Sequence, residues 1–69
     1  MKNLHVELCR DNDFRKGEWT HTVRVPEYHG DTDAARIQRA QDIVKAIRIT
    51  ANCLEEDSIH VRIVYELEA

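Results

Sequence analysis

Glycine and proline are almost missing from this chain of 69 residues: Gly17, Gly30 and Pro26 are all it has. Two isolated glycines cannot build a glycine-rich phosphate loop. Cysteine is equally sparse. Cys9 and Cys53 lie far apart with no CxxC pair, so neither a zinc ribbon nor a secreted disulfide framework is indicated. Both are expected to be reduced, small hydrophobic side chains, with one intrachain disulfide as the alternative. There is no apolar run of about 18 residues to span a bilayer, and the opening "MKNLHVELC" is too short and polar for a signal peptide, so a soluble, cytoplasmic protein with no membrane partner is expected. Nor is there an excess of positive charge. Ten Lys and Arg against thirteen Asp and Glu give a net charge of −3, which makes nucleic acid a less favoured partner than another protein.

What is present is enough for a core. The composition is 42% hydrophobic and 33% charged, which argues against disorder. A chain of this length makes one domain, residues 1–69, since no internal repeat, low-complexity tract or linker interrupts it. Such a small core rarely leaves more than about 3 to 5 kcal/mol of net stability, so a second copy or a tight partner would help.

Periodicity divides the chain into a ββαβ order. Residues 2–9 alternate Leu4, Val6 and Leu8 with His5, Glu7 and Cys9, the period of a half-buried strand. Residues 10–18, "RDNDFRKGE", read as a polar loop. Residues 19–25, "WTHTVRV", are rich in β-branched residues and alternate again, placing Trp19, His21, Val23 and Val25 on one side as a second strand. Pro26 stops that strand, Gly30 permits a turn, and Asp31 or Thr32 caps a helix whose dipole Asp33 complements. The helix spans residues 32–51. Ile37, Ala40, Val44, Ile47 and Ala51 form its apolar stripe with Ile43 beside it, while Arg36, Arg39 and other polar residues lie mostly off the stripe and Ile49 projects from the opposite side. Residues 52–58 form an acidic connection, and residues 59–68, "IHVRIVYELE", are the clearest strand.

The fold class expected is therefore α+β, a compact three-stranded sheet with one long helix on one face. A strand-helix-strand crossover brings strand three parallel to strand two, beside it or beyond strand one, and strand three is an edge in both orders. Such an edge invites another strand. The face away from the helix should carry His5, Glu7, Cys9, Thr20, Thr22, Arg24, His60, Arg62, Val64 and Glu66, a mixed, solvated surface on which Glu7 can pair with Arg24 or Arg62.

Catalytic and metal chemistry find little support. His5 and Cys9 are about 13 Å apart along a strand, too far to share one metal or to form a nucleophile-base pair, and His5 with His60 would supply only two ligands. No metal and no cofactor are expected, nor catalytic residues. His21 is expected to be half-buried on the helix side, and Trp19 to anchor the core or its rim. Phe14 and Tyr28 sit on loops, where contacts with another protein tend to lie, or where an aromatic can fold back as a lid.

"VPEYHGDTDAA", followed by "DIVKAI", resembles the part of HicB-type antitoxins where a strand runs through a Pro-containing turn and a G-D-T element into a helix. The likeness covers about residues 25–47. The chain departs from the pattern in lacking the Cys-containing segment between the proline and the G-D-T, and in having no DNA-binding tail after strand three. It is not assigned to that family.

The function expected is a small non-enzymatic interaction domain, an accessory or inhibitory factor that binds another protein through Phe14, Tyr28, His29, His60, Arg62, Val64 and Glu66, with a homodimer through strand three as a further possibility. Anti-defence proteins of phages and mobile elements are similar in physical type only. The alternative is a nucleic-acid-binding regulatory module using Arg10, Arg15, Lys16, Arg36 and Arg39. A third reading is a small enzyme or ligand binder with its site between subunits.

Overall fold

The computed structural model describes residues 3–55 and 58–66. Along the chain run β1 (Asn3–Arg10), α1 (Asp11–Arg15), β2 (His21–Arg24), α2 (Asp33–Cys53) and β3 (Ile59–Glu66). The fold is α+β: one antiparallel sheet of three strands with one long helix packed on one face. The order across the sheet is β2-β1-β3, so β1 is central and β3 lies beyond it as an edge. The register sets Val6 opposite Val23 on one side and Ile63 on the other, and Glu7 opposite Thr22 and Arg62. Residues 2 and 67–69, and residues 56–57 of the acidic connection, lie outside the described residues, so the proposed strand ends at Lys2 and Glu68 do too.

Alternation along β1 turns Leu4 and Val6 inward, where they are buried with Val25 and Ala40. Ile37, Ile43, Val44 and Ile47 of α2, with Val23, Val61 and Ile63 of the sheet, pack around them. Helix α2 lies over β1 and β3. Ala40 is fully buried, as the apolar stripe implies. Ile49, on the opposite side, is exposed.

The helix boundaries follow from local chemistry. Thr32 has an extended backbone and its Oγ1 accepts from the Ala35 N–H at 3.1 Å, so Thr32 rather than Asp31 is the cap. Asp31 locks the preceding turn instead. Its Oδ2 accepts from the Tyr28 N–H at 2.7 Å, and its own N–H donates to the Tyr28 carbonyl at 3.0 Å. Gly30 takes a φ of 85° there, a conformation that favours glycine. At the far end Leu54 donates to the Thr50 carbonyl and Glu55 to that of Asn52, with Glu55 in the left-handed region at φ 56°.

Several expectations need correction. Residues 10–18 are not all loop: Asp11–Arg15 form α1, held by an Asp11–Arg15 ion pair of 3.1 Å and by acidic residues in its first turn. The second strand is shorter than its composition suggests, and Trp19 lies outside it and turns to the face away from α2, where Phe14 and Arg62 offer it aromatic and cationic contacts. His21 is exposed because α2 lies over β1 and β3 rather than β2. Arg36, read as lying off the apolar stripe, is only 5% exposed, since the first turns of α2 tuck it against the sheet.

Both cysteines are free; Cys9 is buried, but Cys53 is exposed at the end of α2 rather than serving as a core side chain.

Candidate functional site

The face opposite α2 is only partly open, because α1 folds back over one end of it. On β1 this face carries His5, Glu7 and Cys9, set by the register against Val64, Arg62 and His60 of β3. Arg62 donates from Nε and Nη2 to one Glu7 oxygen, at 3.2 and 2.9 Å. Its guanidinium carbon also lies 4.2 Å from the centre of the Trp19 ring, a cation-π contact that fixes both side chains. Two residues along β3, His60 Nε2 donates to Asp11 Oδ1 at 3.0 Å. Phe14 stacks on the His60 imidazole with centroids 3.9 Å apart and planes 9° apart, and meets Trp19 edge-on at 5.9 Å.

The cluster ties α1 to the sheet and covers Cys9, which is 1% exposed on a face expected to be solvated. Burial pushes the Cys9 thiol above its ordinary range, and the Asp13 and Asp11 charges push the same way against the pull of Arg62. A buried thiol with a raised pKa is a poor nucleophile. The hydrogen bond from His60 holds the Asp11 carboxyl below its ordinary range, helped by the Arg15 and His60 charges and opposed by burial. Cys9 and His60 are cross-strand partners, a juxtaposition invisible until the register is known. Among the described residues no hydrogen bond joins them, and no group of three or more His, Cys, Asp or Glu is placed to hold a metal ion.

Of the residues singled out from sequence for partner binding, Phe14, His60 and Arg62 come together in this cluster. Val64 and Glu66 continue along the same face, Val64 half-buried and Glu66 accepting from Asn3 Nδ2 at 2.9 Å. Tyr28 and His29 lie apart from them, in the connection between β2 and α2. Tyr28 is 60% exposed, with the Arg39 guanidinium 4.6 Å from its ring centre. Arg39 also donates to the Pro26 carbonyl at 2.8 Å and to both Asp31 oxygens at 2.9 and 3.2 Å. Asp31 is accordingly held below its ordinary pKa, first by that hydrogen bond and then by the one from the Tyr28 N–H. Trp19 and Asp11 join the outer cluster without having been marked for it.

The residues of the nucleic-acid alternative divide. Arg10, Arg15 and Lys16 are exposed around α1, whereas Arg36 is buried and Arg39 is held in the turn. On the helix side, Leu8, Val23, Ile47, Ala51, Leu54 and Ile59 line an open apolar groove of about 270 Å³. A second depression of about 250 Å³ has a mixed lining that includes Leu4 and Val25 beside His5, Arg24, Glu27 and Glu66.

Set against known proteins, the chain matches no family model, no curated protein and no solved structure. Among the described residues no helix is long and apolar enough to cross a membrane.

Proposed function

We propose that this chain is a small non-enzymatic protein-interaction domain, an accessory or inhibitory factor acting in the cytoplasm by occupying a surface of another protein. The observation that carries this reading is the packed Phe14, His60, Trp19 and Arg62 cluster on the face that α2 leaves uncovered. Aromatic rings and arginine dominate the energetics of protein interfaces, and side chains already held in place lose less conformational freedom on binding. Phe14 is 45% exposed although it is stacked, so it offers a partner a rigid apolar edge. Self-association through the β3 edge would leave this face open, so a homodimer is compatible with it.

The test is affinity capture from a nuclease-treated source lysate at low and high salt, comparing the native chain with Phe14→Ala and Arg62→Ala. A stoichiometric protein that survives high salt and is lost by about tenfold or more with either variant is the expected result. Recovery only of nucleoproteins, released by nuclease or salt, would move the function to Arg10, Arg15 and Lys16 and to nucleic acid.

A further inference from the structure

The β3 edge has the features of a strand that pairs again. Natural edges are protected by shortness, proline, bulges or inward charges. β3 has eight residues and no proline, and it pairs with β1 at every position without a bulge. Its one positive charge, Arg62, stands on the outer face, bonded to Glu7 of β1. The central strand buries Leu4 and Val6 fully, yet Ile59, Val61, Ile63 and Val64 of β3 stay half-buried and Tyr65 is exposed. The accessible surface of 5232 Å² also exceeds the roughly 4,500 Å² usual for a monomer of 8.1 kDa.

We propose that the β3 edge pairs antiparallel with β3 of a second copy of this chain, across a twofold axis at Val64, to make one continuous six-stranded sheet. Opposed residues in a sheet share a face, so a twofold register centres on a residue. Centring on Arg62 would set two guanidinium groups against each other, and centring on Ile63 would set Arg62 against Val64. Centring on Val64 sets Arg62 of each copy against Glu66 of the other, Ile63 against Tyr65, and Val64 against itself. That register is complementary in charge on the outer face and apolar on the inner one. It goes beyond the partner-binding reading, because strand pairing uses the backbone edge and leaves Phe14 and Trp19 on the outer face.

Sedimentation velocity of the native chain, from about 10 µM to about 1 mM, should show a species of twice the 8.1 kDa chain mass. Val64→Lys places two ammonium groups on the axis and should weaken the dimer at least about tenfold, with far-ultraviolet circular dichroism confirming the fold. In a Cys53→Ser background, Val64→Cys should oxidise to a disulfide between subunits, while Glu66→Cys, which faces Arg62, should not. A native chain that is monomeric throughout, a dimer indifferent to Val64→Lys, or faster cross-linking at Glu66→Cys would each overturn the proposal. Partner capture that still depends on Phe14 in a monomeric chain would remove the dimer alone; a dimer with no captured protein would remove the partner-binding reading alone.

Discussion

Asp11 and Asp31 each tie one element of the fold to another. Asp11 joins α1 to β3 through His60, and Asp31 joins the turn after β2 to α2 through Arg39. Both carboxyls titrate below the ordinary aspartate value of 3.8 in the folded chain. A depressed folded pKa gives a contribution to stability that is complete above the unfolded value and disappears as the pH falls through the folded one. Stability should therefore decline on acidification from about pH 4 downward. Urea unfolding followed by Trp19 fluorescence should show the decline, and Asp11→Asn with Asp31→Asn should flatten it while lowering stability near neutrality. An acid limb as steep in the double variant as in the native chain would place its origin in other carboxyls.

Among the elements, the end of α2 offers the clearest single change. Glu55 follows the helix cap in a left-handed conformation, the position where glycine is commonly found. Glu55→Gly should raise stability by up to about 1 kcal/mol, since relief of the side-chain clash outweighs the greater freedom of glycine in the unfolded chain. Thermal unfolding would measure it, and a lowered midpoint would contradict it. The same helix was legible beforehand because its 21 residues repeat an apolar stripe over several turns, as were β1 and β3 from their alternation. Helix α1 was not, because five mostly polar residues carry no period and are stabilised by what they touch. Trp19 has the propensity of a strand residue, but its ring gains more from Arg62 and Phe14 on the outer face. The candidate site was readable to the same degree: alternation alone could foresee the Glu7–Arg62 pair, whereas bringing Phe14, Asp11 and Cys9 to His60 requires both the register and α1.

At the scale of the whole molecule the chain is a plate of 38 × 27 × 13 Å. Its radius of gyration of 13.2 Å is larger than the roughly 11 Å of a typical globule of this length. A plate buries few residues completely, and the core cluster holds only Leu4, Val6, Val25 and Ala40 fully inside. Dimerisation that adds a second sheet edge should therefore matter to stability, and the melting temperature should rise with protein concentration in the native chain, with the rise shifted to higher concentration in Val64→Lys. Equal concentration dependence in the two would assign any association to another surface.

The central place of β1 has a further consequence, for the order of assembly. Its long partner is β3, which leaves the ribosome about 50 residues later, so β1 emerges with only the four-residue β2 to pair with. A two-stranded ribbon is marginal in water. Helix α2, whose contacts are local, can form meanwhile, but its apolar stripe has only half a sheet to rest on. Closing the ladder from Asn3↔Glu66 to Arg10↔Ile59 is thus the step that turns separate segments into a folded protein, and it brings together the most distant parts of the described chain.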